Sequence, residues 1–225
     1  YVDKASEKRI VERLHELLPE AGFIAEEGSG SLEEQEYCWV VDPLDGTSNY
    51  IHDCAPYCVS IALRNREEIL LGVVYECVRE ELFWANKNSR AYLNGKEICV
   101  SDQSVLDQSF IMPELPYKAE RYSPFILPLM RDLYGHVSGI RMLGSAAAEL
   151  CYVAAGRFEI FIEAFLGPWD IAAGYIILKQ AGGRMTDFSG NSNGPDAKEV
   201  LASNGKVHEE LLKVLQRHKK LLKHE

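Results

Sequence analysis

The segment Trp39-Val40-Val41-Asp42-Pro43-Leu44-Asp45-Gly46-Thr47-Ser48-Asn49 constrains this chain more than any other. An apolar run ends in two carboxylates three residues apart, followed by a glycine and a hydroxyl. Such a run belongs in a core, so its acids are delivered onto a tight turn, and the residues beyond the turn are suited to opening a helix. Carboxylates facing a helix start make sense if a cation binds between them and an anion binds that cation. A divalent metal holding a phosphate is the simplest such pair.

The surrounding pattern mixes helices and strands along the whole length. Helical spacing runs over 3–18, with Ile10, Val11, Leu14, Leu17 and Leu18 on one face, and Pro19 and Gly22 end it. Strands are expected over 23–25, 37–41 and 59–64, a hairpin over 69–75 and 81–85, a turn at Asn94-Gly95, and a polar loop over 28–36. In the second half, strands are expected over 109–112, 140–143, 158–162 and 199–202. Helices are expected over 124–133, 145–155, 171–181 and 207–222, the last with lysines gathered where the helix dipole favours them. This alternation gives an α/β or α+β arrangement of layered sheets and helices.

Composition excludes several classes. At 225 residues the chain suffices for one well-buried domain, and no window is long and apolar enough to span a membrane. A net charge of −10 disfavours a nucleic-acid backbone as partner. Six cysteines without a CxxC pair read as reduced core thiols of a cytoplasmic protein, and Cys54 and Cys58, spaced one helical turn apart, supply too few ligands for zinc.

Taken singly, each acid has a local explanation. Asp42 and Asp45-Gly46 suit turns, Asp170 suits an N-cap, and Glu26 and Glu27 suit a solvated loop. Together they form a pattern: Glu26 follows the strand at Phe23-Ile24, Asp42 and Asp45 follow Trp39 to Val41, and Glu163 follows Phe161-Ile162 with Asp170 shortly after. If those strands pack in one region, the acids converge as hard oxygen ligands, with a backbone carbonyl among them. Two metals can clamp the attacking and leaving oxygens of a phosphoryl displacement. Gly46 permits close backbone approach, and Thr47 suits either a water-positioning hydroxyl or a plain N-cap. Phosphatases with an aspartate nucleophile, of the haloacid dehalogenase type, space their acids by one residue. Here Pro43 and Leu44 intervene, and in a regular strand that spacing turns the second acid to the other face.

At this point the residues resemble a family. Asp42 to Tyr50 resembles the first signature of the inositol monophosphatase family, and Trp169-Asp170-Ile171-Ala172-Ala173-Gly174, running on to Gly182-Gly183, resembles its second. Ala25-Glu26-Glu27 resembles its Gly-Glu-Glu element with alanine for glycine. Asp3, Glu7 and Ile10 match the preceding helix, and Gly144-Ser145-Ala146-Ala147 the small-residue stretch near substrate.

The resemblance implies an alternating α-β-α-β-α sandwich shared with fructose-1,6-bisphosphatase, as one domain over residues 1–225 without the family's N-terminal helices. It implies a homodimer and lithium sensitivity. Glu26, Asp42 and the Leu44 carbonyl would hold one Mg²⁺, and Asp42, Asp45 and Asp170 a second, with a weaker third near Glu26. Glu26 and Thr47 would orient and deprotonate the attacking water, with Asp3 behind Thr47. The Gly46 and Thr47 amides would bind phosphate, and Gly144, Ser145, Ala146 and Glu163 would contact the alcohol. The implied activity is hydrolysis of myo-inositol 1-phosphate or a related polyol or sugar phosphate by direct attack of a metal-activated water. Fructose-1,6-bisphosphatase, histidinol-phosphatase and 3′-phosphonucleotide phosphatase activities are same-fold alternatives, and a non-catalytic regulatory module is the alternative of another class. Glu163 favours neutral hydroxyls over a second phosphate, a bias that Arg157 could offset. His52 reads as a surface or packing histidine, and Lys179-Gln180 as a solvated helix face.

Overall fold

The computed structural model describes residues 1–28, 35–116, 118–192 and 194–222, so most of the polar loop expected over 28–36 lies outside the described residues. Helix α1 (Val2–Leu17) leads into β1 (Gly22–Ala25) and β2 (Tyr37–Asp45), which pair in parallel. After the short α2 (Thr47–Ile51) come β3 (Cys58–Asn65), β4 (Ile69–Glu76), β5 (Glu81–Asn86), β6 (Ala91–Leu93) and β7 (Lys96–Ile98). Strands β1 to β7 form one sheet in sequence order. The Asn94-Gly95 turn joins β6 to β7 as a tight hairpin.

The second sheet contains β8 (Phe110–Pro113), β9 (Gly139–Ile140), β10 (Ile160–Ala164), β11 (Arg184–Thr186) and β12 (Glu199–Ser203), in the order β11-β12-β10-β8-β9. Helices α4 (Ala146–Ala154) and α5 (Pro168–Gln180) lie between the sheets. Helices α3 (Ala119–Leu133) and α6 (His208–Lys219) cover the far face of the second sheet, and α1 covers the outer face of the first. The layers therefore run α-β-α-β-α, as the resemblance implied.

Apolar character explains the layering. Buried on nearly every side, α4 and α5 are built from small residues such as Ala147, Ala148, Ala172 and Ala173, which let two sheets close on a helix pair. Gly72 on β4 makes that approach possible. A Cβ there would fall 2.5 Å from Ile176 Cγ2 and 2.6 Å from the Ala173 carbonyl oxygen.

Several expectations shift. Leu17 is 74% exposed, so the buried stripe of α1 is Ile10, Val11, Leu14 and Leu18. Helix α3 begins at Ala119 and carries Pro124 and Pro128 inside it, although proline usually marks a helix start. Its buried stripe of Tyr122, Phe125, Ile126, Leu129 and Leu133 outweighs the missing donors. Strand β11 was not foreseen, because three residues give too short a pattern. All six cysteines are free, but only Cys38, Cys58 and Cys151 are core residues, while Cys54 and Cys99 are exposed. Cys54 follows the turn at His52-Asp53 in irregular chain and Cys58 opens β3, so the two are not neighbours on a helix. Among the described residues, no helix is long and apolar enough to cross a membrane.

Replacing Gly72 by alanine should force α5 off β4 and lower unfolding stability by roughly 1–3 kcal/mol, the usual cost of overpacking. Urea denaturation measures this, and an unchanged midpoint would contradict the close seating of α5.

Candidate metal centre

The acids of β2 meet because the strand is irregular. Asp42 lies opposite Ser60 and Asp45 opposite Cys58, so three steps along β2 match two along β3. The extra residue is a β-bulge at Pro43-Leu44, where the missing proline donor costs no ladder bond. The expectation that the spacing sends Asp45 to the opposite face is therefore overturned. The bulge restores both acids to one side, where oxygens of Asp42, Asp45 and Asp170 all lie within 4.8 Å of one another.

Each acid is anchored by one part of its carboxylate. The Leu44 N–H donates to Asp42 Oδ1 at 2.9 Å. Asp45 Oδ2 accepts from Ser145 Oγ at 2.6 Å and from the Ala147 N–H at 2.8 Å, which seats it on the start of α4. The Gly167 N–H donates to Asp170 Oδ2 at 2.7 Å. Asp170 is not the N-cap of α5, as its position suggested, but the third residue inside, reaching back to cap from within.

Burial and mutual repulsion disfavour ionisation here. The Asp42 carboxyl is pushed well above the usual range by burial, then by the charges of Asp45, Glu26 and Asp170. Asp170 is raised to about 7 by burial and by Asp45. Burial also raises Asp45, against the hydrogen bonds from Ser145 and Ala147. Glu26 stands at the open edge of the cavity, its pKa raised by withdrawal of the carboxyl from water and then by Glu27, Asp45 and Asp3, while contact with Asp42 acts in the other direction. A cluster of hard oxygen donors whose charges repel in low dielectric fits a divalent cation of the magnesium type.

The remaining expected residues fall around this cluster. The Thr47 hydroxyl donates to the Leu44 carbonyl oxygen at 3.0 Å. Gly46, with φ 87°, is the N-cap of α2, so the N-cap alternative for Thr47 does not hold. Glu26, Gly46, Thr47, Gly144, Ala146 and Glu163 line a cavity of about 530 Å³ that also contains the three aspartates. Ser145 differs from its expected contact with the alcohol, because it is buried and its hydroxyl is committed to Asp45. Asp3, in the first turn of α1, reaches the site through its charge on Glu26. Arg157 cannot balance Glu163, since its two terminal guanidinium nitrogens bond Glu81, at 2.7 and 2.6 Å. His52 and Lys179 are exposed.

Four supporting residues had no role assigned from the sequence. Glu7, buried on α1, accepts the Glu27 N–H at 2.8 Å and so fixes the chain leaving β1. Asn49 Nδ2 bonds the carbonyl oxygens of Pro56 and Leu143, tying α2 to the loop that carries Gly144. Glu114 lines the cavity and accepts the Leu143 N–H at 2.6 Å. Among the described residues no cation pairs with fully buried Glu149, and burial, then the neighbouring Glu114 carboxyl, holds its pKa well above the usual value. Glu114 had a readable signal, being one more acid at the exit of an apolar strand.

The sequence profile described as the inositol monophosphatase family matches residues 1–220. A Nus factor SuhB from Pseudomonas aeruginosa is 37% identical over 222 residues, covering 96% of this chain and 82% of the relative. A fructose-1,6-bisphosphatase/inositol-1-monophosphatase from Thermotoga maritima is 36% identical over 214 residues, covering 95% and 80%. The solved structure of an inositol monophosphatase from Anabaena (Nostoc) superposes with a TM-score of 0.90 at 35% identity, covering 96% of this chain and 86% of that one.

The raised acids set a pH dependence. A carboxyl whose folded pKa exceeds its unfolded value stabilises the fold below about pH 4, and that contribution is lost as pH rises through the folded value, about 7 for Asp170. Metal-free protein should therefore lose thermal stability between about pH 4 and 7. Magnesium should raise the melting temperature more at pH 8 than at pH 5.5, and Asp42→Asn should raise the metal-free melting temperature while weakening the magnesium response. Calorimetric scans in chelator and in magnesium check this, and a magnesium shift independent of pH would refute it.

Proposed function

The chain belongs to the inositol monophosphatase family, and from that premise we propose that it is a magnesium-dependent phosphomonoesterase acting on myo-inositol 1-phosphate or a related polyol or sugar phosphate. The observation that carries this reading is the convergence of Asp42, Asp45 and Asp170 at the floor of one cavity. Glu26, Asp42 and the Leu44 carbonyl would hold one ion, and Asp42, Asp45 and Asp170 another. Bound magnesium would neutralise these acids, lower the pKa of water and draw off charge from the transferring phosphoryl group.

The chain's own residues supply the rest. Gly46 turns the backbone at φ 87° so that its own N–H and that of Thr47, at the start of α2, are offered to phosphate oxygens. Thr47 and Glu26 orient the water, and Glu26, at the open edge, accepts its proton, with Asp3 adding negative charge behind it. Ser145 and the Ala147 N–H keep Asp45 aimed at the centre, a positioning task in place of substrate contact. Gly144, Ala146 and Glu163 face the alcohol. Lithium inhibition and a homodimer belong to the same proposal. Other relatives carry the name Nus factor, which makes a regulatory role the second reading, separable by turnover.

Phosphate release from a panel of inositol, sugar, histidinol and nucleotide phosphates tests both readings. Asp42→Asn should cost at least about a thousandfold in kcat with circular dichroism unchanged, because it weakens both proposed ion sites. Turnover that survives this substitution, or its absence across the panel with magnesium present, would count against the enzyme reading.

A further inference from the structure

The second sheet delivers two carboxylates, side by side, to the metal cavity. Strands β8 and β10 run parallel, with Met112 opposite Phe161 and Pro113 opposite Ile162. The ladder continues one step further, where the Glu114 N–H donates to the Ile162 carbonyl at 2.8 Å and so sets Glu114 beside Glu163. Residues two apart on a strand share a face. Met112 and Phe161 belong to the core that contains α4 and α5, and Glu114 and Glu163 follow them to that inner side. Both line the cavity of the three aspartates. Like charges on neighbouring strands destabilise a sheet, so the pair is kept at a cost.

A third acid stands behind Glu114. Glu149, in the first turn of α4, is fully buried, and its carboxyl meets that of Glu114. Among the described residues no N–H or hydroxyl donor reaches either Glu149 oxygen. The charges that act on it, from Glu114, Glu163 and Asp45, are all negative. An ionised Glu149 would face them without a donor, whereas the acid form has one use for its proton, a hydrogen bond to Glu114. Glu114 Oε1 also accepts the Leu143 N–H at 2.6 Å. A carboxylate offers about four acceptor positions. Two of them serve the protein, and the rest remain for the cavity that Glu114 lines. Holding Leu143 needs only a carbonyl-type oxygen, so that bond does not account for the charge.

We propose that Glu114 is a specificity-determining residue of this site, a carboxylate that Glu149 holds in place and that accepts a hydroxyl of the substrate's alcohol next to the one facing Glu163. This rests on the phosphatase reading and deepens it. Two acceptors one strand spacing apart, about 4.8 Å, take two hydroxyls of one alcohol and so select a polyol over an alcohol without further hydroxyls. Glu149 is a positioning residue, since it is sealed from the cavity and acts through Glu114.

The test is the ratio of kcat/KM for inositol 1-phosphate to that for phenyl phosphate, whose leaving alcohol carries no further hydroxyl. It is measured with magnesium in the unmodified protein, Glu114→Gln, Glu149→Gln and Glu149→Leu. Glu114→Gln keeps the size and an acceptor for Leu143 but loses the charge, and the ratio should fall roughly tenfold, the scale of one hydrogen bond to a charged group. Glu149→Leu removes the donor behind Glu114 and should lower the ratio as well. Glu149→Gln puts an amide N–H where the acid proton was, and should restore the ratio of the unmodified protein. A merely structural role would slow both compounds alike. A ratio that Glu114→Gln leaves unchanged therefore overturns the proposal, and with both compounds still hydrolysed it leaves the phosphatase reading intact. A ratio that falls as far in Glu149→Gln as in Glu149→Leu overturns the part given to Glu149. Should the unmodified protein hydrolyse neither compound, the phosphatase reading fails. Titration calorimetry with the same two compounds then still reads Glu114: a binding preference for inositol 1-phosphate that Glu114→Gln loses upholds the proposal, and a preference that is missing or unchanged overturns it.

Discussion

One extra residue in β2 organises this molecule. A regular strand would point Asp42 and Asp45 to opposite faces, one toward α1 and the other toward α4 and α5. The bulge at Pro43-Leu44 brings both to the inner side, next to Asp170 at the start of α5. The same irregularity frees the Leu44 backbone, whose N–H bonds Asp42 and whose carbonyl accepts from Thr47. Local disruption of the sheet thus builds the site and directs the chain into α2.

The centre is held by elements far apart in sequence. Asp45 takes its hydrogen bonds from Ser145 and Ala147, a hundred residues downstream, so the start of α4 and the end of β2 position each other. Asn49 extends the link through the Leu143 carbonyl, and Glu114, at the exit of β8 in the second sheet, accepts the Leu143 N–H. Glu7 reaches over from α1 to fix the chain after β1. Each of these bonds leaves the cluster acids with oxygens facing the cavity. The arrangement stores repulsion in a buried place, which is tolerated because the sandwich around it is densely filled by alanine-rich helices, and which a bound cation would relieve.

Much of this was legible in the sequence. The β2 segment with its two acids, a helix running over 171–180, the layered alternation and the resemblance to a family all came from residues read in order. The same reading erred where packing decided the outcome. Helix α3 runs through two prolines because its apolar stripe has a sheet to cover. Leu17 fits the helical stripe of α1 but overhangs the sheet and stays in solvent. Glu114 obeyed the rule that revealed the other acids and was overlooked because no signature surrounds it.

By itself the sequence determined the chemistry available: which strands are apolar, which acids end them, and where glycine lets the chain turn at Gly46. Those are properties of covalent neighbours. Tertiary structure alone decided that Asp42 and Asp45 share a face, that Ser145 serves Asp45, and that Arg157 belongs to Glu81. Each depends on which distant backbone lies opposite, and strand register and helix seating follow from the burial of whole surfaces, which no short segment encodes.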